Sequence, residues 1–232
     1  MENTVAGFRR AVDEGFHYLE LDVRTTAEGG VVVHPDATLE RTTDGNGRID
    51  ALPFRDVGTA RVGGSEPVPT LEHVLVEFPT SRFTIELKDH RVVEPTLRLL
   101  DALGAWPRVC LGSYVEARLQ RVRQVAGDRA LTSLARRSAI ALRAKAWLQG
   151  MPVVLPMRGH LAQLPRRYGR LVVIDTAMIR AARRAGLEVH VWTVDRPAEM
   201  EELLDLGVDG VLSDRPDLLR EVLRRRGQWS GV

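Results

Sequence analysis

Hydrophobic residues recur along this chain with two periodicities, one typical of strands and one typical of helices, and stretches of the two kinds alternate. Short stretches in which apolar side chains alternate with polar ones or run together, bounded by glycine, proline or polar residues, predict β-strands. We predict strands at residues 17–23, 31–34, 82–87, 108–114, 130–134, 153–155, 188–194 and 210–212. Between most of them, apolar residues recur at helical spacing. These stretches predict helices at residues 2–15, 70–77, 92–103, 115–125, 138–148, 176–185, 197–206 and 216–225.

The alternation of strands and helices is typical of a parallel sheet with crossover helices. A length of 232 residues with 44% hydrophobic content suits one α/β barrel domain with a sizeable core. Residues 35–69 break the pattern, because turn signals such as Asp44-Gly45-Asn46-Gly47 and Gly63-Gly64-Ser65 crowd them. We therefore predict a single domain, 1–232, in which 35–69 form a compact insertion or lid loop.

Two acids share one face of the predicted strand at 17–23. Side chains alternate along a strand, so Glu20 and Asp22 point one way and the apolar residues between and beside them point the other. Neighbouring carboxylates repel each other unless a cation lies between them, and hard oxygen ligands suit Mg²⁺ or Ca²⁺. The alternative is a solvated edge strand with its polar residues outward.

The hairpin that follows these acids ends in a histidine. Glu28-Gly29-Gly30 predicts a turn, and the short strand after it returns the chain so that His34 can lie over Glu20 and Asp22. That arrangement is the one that acid–base catalysis would need.

Lysine is rare in this chain, which uses arginine almost everywhere. Only Lys88 and Lys145 occur, and Lys88 shares a strand face with Glu86. A lysine kept at this position suggests a chemical role for its point charge, and an ion pair to Glu86 is the structural alternative.

Composition and charge argue against several other classes of protein. The net charge is +2, and the arginine pairs are spread among acids, so they predict solvated faces rather than a nucleic-acid site. There is no apolar run of about 18 residues and no signal-peptide pattern at the start, so we expect no membrane span and a cytoplasmic protein. The single cysteine, Cys110, is expected to be a small buried hydrophobe.

Several ordered motifs resemble those of the glycerophosphodiester phosphodiesterase family. The family has an H-R-G strand, then P-E-N-T and a helix, then E-x-D-V, V-V-x-H-D and R-T-T, and the resemblance continues through I-E-x-K to the C-terminus. The matching stretches are Glu2-Asn3-Thr4, Glu20-Leu21-Asp22-Val23, Val32-Val33-His34, Arg41-Thr42-Thr43, Ile85-Glu86-Leu87-Lys88, Gly112-Ser113-Tyr114, Val191-Trp192-Thr193-Val194 and Gly207–Asp214.

The resemblance implies a TIM-type (β/α)₈ barrel and metal-dependent hydrolysis of glycerophosphodiesters to an alcohol and glycerol 3-phosphate. It implies that Glu20, Asp22 and Glu86 bind a divalent metal, Mg²⁺ or Ca²⁺, and that His34 is one of two catalytic histidines. With a metal and a phosphate in the site, Lys88 is expected to act as a point charge on a phosphate oxygen. Active sites of such barrels lie at the C-terminal ends of the strands. Trp192 falls at such an end and could wall the substrate glycerol, or it could be a core aromatic.

One motif of the family is absent, since the sequence contains no H-R-G. The resemblance then implies a barrel without its first strand, two open strand edges and impaired activity, unless seven strands close the barrel. Two other functions stay open: a non-catalytic relative that keeps the phosphate pocket, and another barrel enzyme on phosphorylated substrates, in which Lys88 could form a Schiff base.

Overall fold

The computed structural model describes residues 1–148 and 156–230 of the chain. The chain divides into two compact units, the first comprising Met1–Ser113 and Ala117–Leu131 and the second Tyr114–Glu116 and Thr132–Val232. In chain order the elements are α1 (Val5–Asp13), β1 (Tyr18–Thr25), β2 (Val31–Val33), α2 (Phe54–Thr59), β3 (Arg61–Val62), β4 (Glu66–Pro67), α3 (Leu71–Glu77), β5 (Arg82–Leu87), α4 (Val93–Ala102), β6 (Val109–Gly112), α5 (Glu116–Ala126), β7 (Leu131–Thr132), α6 (Arg136–Trp147), β8 (Leu161–Pro165), β9 (Arg167–Tyr168), β10 (Leu171–Val172), α7 (Thr176–Arg184), β11 (Glu188–Trp192), α8 (Pro197–Leu206), β12 (Gly210–Val211) and α9 (Pro216–Arg225).

The first unit is built on strands β2, β1, β5 and β6, which neighbour one another in that order. β1 pairs in parallel with β5 from Tyr18↔Arg82 to Val23↔Leu87, and β5 pairs in parallel with β6. β2 returns antiparallel along the last part of β1, from Val23 to Thr25. One face of these strands forms the core and is mainly apolar: Leu21, Val23, Ile85, Leu87 and Leu111 are completely buried on it.

Helix α1 is present but shorter than the predicted 2–15, since it begins at Val5 and ends at Asp13. The Thr4 side chain accepts a hydrogen bond from the backbone N–H of Gly7, which caps the first turn. Phe8 is the buried residue of this helix, and its ring meets that of Phe78 edge to face at 6.2 Å between centroids. The cap and this contact fix α1 beside the sheet.

Residues 35–69 are compact and only sparsely regular. They contain a turn of 3₁₀ helix at Ile49–Ala51, the short helix α2 and the antiparallel pair β3–β4. An apolar cluster joins this segment to Val32 of β2, and its other members are Leu39, Ile49, Val57, Ala60, Val62 and Val68. The segment therefore has a small core that fixes its position after β2.

The second unit contains a parallel sheet in which β11 lies between β8 and β12. Helix α7 begins at Asp175, whose carboxylate accepts from the backbone N–H of Met178, and α8 begins with Pro197. α8 ends at Gly207 with φ of 83°, a left-handed conformation that a side chain would strain.

The alternating pattern is confirmed in detail for most elements. The predicted strands near residues 19, 84, 110, 132, 191 and 211 correspond to β1, β5, β6, β7, β11 and β12. The predicted strand at 153–155 lies outside the described residues, and the pattern does not predict β8. An α/β fold with parallel strands is thus established, and closure of a barrel stays a prediction. No helix in the described part of the chain is both long enough and apolar enough to cross a membrane.

Candidate functional site

Three carboxylates meet on the polar face of β1 and β5. Strand alternation buries Leu21 and Val23 against the core and turns Glu20 and Asp22 to the opposite face. The register pairs Asp22 with Glu86 across the two strands. Glu20, Asp22 and Glu86 each offer an oxygen, and these oxygens lie within 4.8 Å of one another. The parallel pairing of two strands therefore assembles the acids that the sequence predicts to lie together.

Lys88 supplies positive charge to this cluster. Its Nζ lies 2.9 Å from Oδ1 of Asp22 and 3.4 Å from Oε2 of Glu86. Burial by itself favours the neutral amine, but Asp22 and Glu86 outweigh it and raise the pKa of Lys88. Burial also raises the pKa of Glu86, which Lys88 only partly opposes. Three carboxylates thus lie together with one ammonium, and the guanidinium of Arg118 adds a further positive charge that acts on Glu86.

The donor set of this cluster fits a divalent cation of the Mg²⁺ or Ca²⁺ type. Three carboxylate oxygens are hard ligands, and His or Cys ligands of the kind that zinc favours are not part of the cluster. A cation would relieve the repulsion between the carboxylates. Glu20, Asp22 and Glu86 are therefore the residues that could hold it.

Asn3 fixes Asp22 from the N-terminal segment. Its Oδ1 accepts from the backbone N–H of Asp22 at 2.9 Å, and its Nδ2 lies 3.4 Å from the Asp22 carboxylate. Asn3 adopts a left-handed backbone conformation with φ of 54°. Helix-capping rules alone would make Asn3 a candidate cap of α1, a part that Thr4 takes instead. The signal for Asn3 in the sequence is its place in the Glu2-Asn3-Thr4 motif.

His34 lies beside the acids and is almost fully buried. Its backbone N–H donates to the carbonyl of Asp22 at 2.9 Å, so the hairpin returns it to β1 as the sequence predicts. Its Nε2 is 3.0 Å from Oγ1 of Thr42, and its Nδ1 is 3.2 Å from the backbone N and 3.1 Å from the carbonyl of Asp36. Burial lowers the pKa of His34, which keeps the imidazole neutral.

The segment after β2 holds His34 in place. Arg41 pairs with Asp36 and, at 2.8 Å, with Glu2, so it links the loop to the N-terminal segment. The guanidinium of Arg24, on the same strand face as Asp22, donates to the carbonyl of Pro35 at 2.9 Å. The Arg-Thr-Thr motif thus acquires a physical role that spacing did not reveal: Arg41 anchors the loop and Thr42 contacts the imidazole.

Ser113 has a structural partner at the end of β6. Its hydroxyl donates to the carbonyl of Leu87 at 3.0 Å, and Arg118 donates to the same carbonyl at 2.8 Å. These contacts anchor the turn that leads from Leu87 to Lys88.

Trp192 belongs to the second unit. It ends β11 on the face opposite the buried Val189 and Val191, and it is half-buried. Its ring meets that of Tyr114 edge to face at 6.5 Å between centroids. Its predicted contact with substrate stays a prediction.

Comparison with known proteins gives a consistent answer. The model of the glycerophosphoryl diester phosphodiesterase family matches residues 1–218. A protein of Mycobacterium tuberculosis, named probable glycerophosphodiester phosphodiesterase 2, is 38% identical over 99% of this chain and 88% of its own length. A glycerophosphodiester phosphodiesterase of Caldanaerobacter subterraneus is 27% identical over 97% of this chain and 93% of its own length.

Solved structures agree with the sequence relatives. The crystal structure of a glycerophosphodiester phosphodiesterase from Agrobacterium tumefaciens is 27% identical, covers 94% of this chain and 92% of its own, and gives a TM-score of 0.74. An Oleispira antarctica phosphodiesterase, solved in complex with the product sn-glycerol-3-phosphate, is 20% identical over 96% of this chain and 91% of its own, with a TM-score of 0.78. At that identity, the second likeness concerns the fold.

Proposed function

Because the chain belongs to the glycerophosphoryl diester phosphodiesterase family and is therefore a phosphoric diester hydrolase, we propose that it cleaves glycerophosphodiesters at the site formed by β1, β5 and His34. The products would be an alcohol and glycerol 3-phosphate, the product bound in the Oleispira antarctica relative. The observation that carries the proposal is the cluster of three carboxylates with Lys88 beside it. An anionic phosphodiester and a cation together would balance that cluster.

Glu20, Asp22 and Glu86 would hold the divalent cation. Bound there, it would supply positive charge next to the phosphodiester and polarise a phosphoryl oxygen. Lys88 would contribute a second positive charge to the phosphate oxygens, because its ammonium already lies at the edge of the cluster. Asn3 would keep the Asp22 carboxylate oriented through its amide group.

His34 would move the proton at Nε2. In the tautomer with the proton on Nδ1, the carbonyl of Asp36 accepts it at 3.1 Å and Nε2 keeps its lone pair. The lowered pKa keeps that lone pair available at neutral pH. As the resemblance implies, a glycerol hydroxyl would lose its proton and attack the phosphorus, the alcohol would leave, and water would open the cyclic phosphate.

Protonation of the leaving alcohol needs a second group. The family uses the histidine of H-R-G, and this sequence contains no such motif. His90, exposed two residues after Lys88, is the histidine to test as a substitute. Externally added imidazole should raise the rate if the second group is absent, and it should leave the rate unchanged if His90 fills that place.

Trp192 remains the proposed wall for the glycerol moiety. A half-buried ring at the end of β11 offers an apolar surface and one N–H donor. Trp192→Phe should keep most of the activity, whereas Trp192→Ala should raise the KM for glycerophosphodiesters more than it lowers kcat.

The test of the proposal is release of glycerol 3-phosphate from glycerophosphocholine and glycerophosphoethanolamine, with Mg²⁺, with Ca²⁺ and with a chelator. Lysophosphatidylcholine belongs in the same assay, because relatives from rat and human at 26% and 24% identity are named lysophospholipase D. Lys88→Met should abolish most of the activity that the cation supports, and Lys145→Met is the matched control, since these are the only two lysines. Activity that a chelator leaves intact would contradict the role of the three carboxylates.

A further inference from the structure

Basic and acidic residues are unevenly divided along the chain, so the expectation that the arginine pairs are spread among acids is wrong for residues 130–187. Residues 130–187 contain eleven lysines and arginines and a single acid, Asp175, whereas the whole chain has 33 basic and 31 acidic residues. This stretch is therefore strongly cationic and the remainder of the chain is anionic. A segregation of this size attracts polyanionic surfaces.

Some of these charges are neutralised by ion pairs and others are not. Arg143 pairs with Asp175 at 2.9 Å, and Arg166 pairs with Glu199 at 3.0 Å and with Glu202. Arg167 and Arg170 are exposed and have no carboxylate partner among the described residues. They lie in the hairpin formed by β9 and β10, Arg167 on β9 and Arg170 in the turn.

The same hairpin exposes apolar side chains. β9 and β10 pair antiparallel with Tyr168 opposite Leu171, and Gly169 takes φ of 57° in the turn between them. Residues directly opposite each other project from the same face of a hairpin. Tyr168 is 61% exposed and Leu171 43% on this face, and Val172, 36% exposed, pairs with Arg167 on the opposite face, so apolar and basic side chains surround the tip of the hairpin. Exposed apolar residues grouped at one place in this way mark an interaction site.

The end of helix α6 extends this surface. Trp147 is 61% exposed. The guanidinium of Arg143 lies 4.9 Å from its ring centroid and also donates to the carbonyl of Val173 at 3.2 Å, one residue beyond β10. Arg143 thus joins the Trp147 ring to the base of the hairpin. We call the resulting patch the hairpin surface, which consists of Trp147, Arg167, Tyr168, Arg170, Leu171 and Val172.

We propose that the hairpin surface binds peripherally to the surface of an anionic lipid bilayer. Tryptophan and tyrosine rings settle at the level of lipid head groups, where one end of the ring is apolar and the other is wet. Arginines beside them meet lipid phosphates, and shallowly inserted leucine and valine side chains add apolar contact. Binding of this kind is independent of catalysis and does not rest on the proposed function.

A nucleic acid is the competing polyanion. It would use the arginines and could stack bases on the rings, but it gains little from exposed leucine and valine side chains. The pairing of Leu171 with Tyr168 on one hairpin face therefore favours a lipid surface.

The test is co-sedimentation of the full chain with vesicles of phosphatidylcholine alone and with vesicles enriched in phosphatidylglycerol. We expect binding to the anionic vesicles only, and weaker binding at high salt. Arg167→Glu with Arg170→Glu should lower the apparent affinity roughly 25-fold or more, because each basic residue near such a surface contributes about fivefold. Tyr168→Ser with Leu171→Ser should lower it roughly tenfold through lost apolar contact.

Matched controls separate the patch from general effects of charge and exposure. Arg98→Glu with Arg224→Glu changes two exposed helix arginines, and Val76→Ser with Val125→Ser changes two exposed valines. Both pairs should keep vesicle affinity within about twofold of the unaltered protein if each exposed side chain acts locally. Equal losses in the control pairs, or no binding to anionic vesicles, would overturn the proposal. Binding to single-stranded RNA that Arg167→Glu with Arg170→Glu weakens and Tyr168→Ser with Leu171→Ser does not would overturn it in favour of nucleic acid.

Discussion

Acids follow parallel strands in both units of the molecule, but their surroundings differ. In the second unit, Asp195 follows β11, and its Oδ1 accepts from the hydroxyl of Ser213 at 2.9 Å and from the backbone N–H of Asp214 at 2.8 Å. In the first unit, Glu86 at the end of β5 has an ammonium at 3.4 Å and an elevated pKa. The contacts of Asp195 close a turn by hydrogen bonds, whereas Glu86 belongs to a cluster of charged side chains.

The comparison shows how to separate structural acids from functional ones. The hydroxyl of Ser213 and the N–H of Asp214 give Oδ1 of Asp195 its hydrogen-bond donors within the turn. The carboxylates of Asp22 and Glu86 instead share the ammonium of Lys88, and only the amide of Asn3, 3.4 Å from Asp22, adds a neutral donor there in the described part of the chain. We therefore expect the carboxylates of the charge cluster to bind a divalent cation, and we expect Asp195 not to bind one.

The largest expected difference concerns His34. His34→Ala should lower turnover about 10²–10⁴-fold, because the imidazole moves the proton. Cation affinity should stay nearly intact, since the three carboxylates are unaltered. Turnover by stopped assay and cation binding by calorimetry measure both effects. His73→Ala, an exposed histidine on α3, is the control and should match the unaltered protein. Loss of cation binding in His34→Ala would show that the histidine acts through the fold.

The next largest expected effect is on the affinity for a divalent cation when an acid of either kind is replaced by its amide. Glu20→Gln should weaken Mg²⁺ or Ca²⁺ binding about 100-fold or more, a loss at least as large as that for partners of metal ligands. Asp195→Asn should leave cation binding unchanged. Isothermal titration calorimetry of both variants measures the two affinities. Equal affinities would show that Glu20 and Asp195 do not differ in cation binding.

A smaller effect is expected on stability. Asp195→Ala should lower the free energy of unfolding by about 1 kcal/mol, because the hydroxyl of Ser213 and the N–H of Asp214 lose their acceptor. Urea unfolding measures the change. Asp205→Ala offers a comparison, since that acid makes an exposed ion pair with Arg226 and its loss should cost less. The reverse ranking would count against a structural role for Asp195.

The smallest expected effect is a pH dependence. Burial lowers the pKa of His34, so the unfolded chain takes up a proton that the folded chain does not. Stability that is present above about pH 6.5 is therefore lost as the pH falls below that value. Unfolding free energies on both sides of that pH should show the loss, and His34→Gln should flatten it. A steeper loss in His34→Gln would place the responsible group elsewhere.

The sequence predicts most elements because local signals are strong. β5 and the helices α8 and α9 begin and end where the pattern places them, helped by Pro197 and Pro216 at the helix starts. β8 escapes the pattern because Leu-Ala-Gln-Leu-Pro lacks β-branched residues and ends in proline, so its strand state depends on pairing with β11.

The sequence likewise predicts some of the site contacts and not others. Strand alternation and parallel pairing are enough to bring Glu20, Asp22 and Glu86 together. The contacts of Asn3 with Asp22 and of Thr42 with His34 connect segments that no periodicity relates, so spacing could not predict them. The ion pair of Lys88 with Glu86 is one of the two alternatives that the sequence leaves open, and it is present together with a pair to Asp22.

The pairing of Asp22 with Glu86 also bears on how the protein assembles. The carboxylates and Lys88 come from two adjacent strands that are far apart in sequence, so closing that long loop is an entropically costly step of folding. A cation held by both strands would favour chains in which they have already met. Refolding in Mg²⁺ or Ca²⁺ should therefore be faster to the extent that β1 and β5 pair before the rate-limiting step, and the ion would then act as a folding aid as well as a catalytic partner.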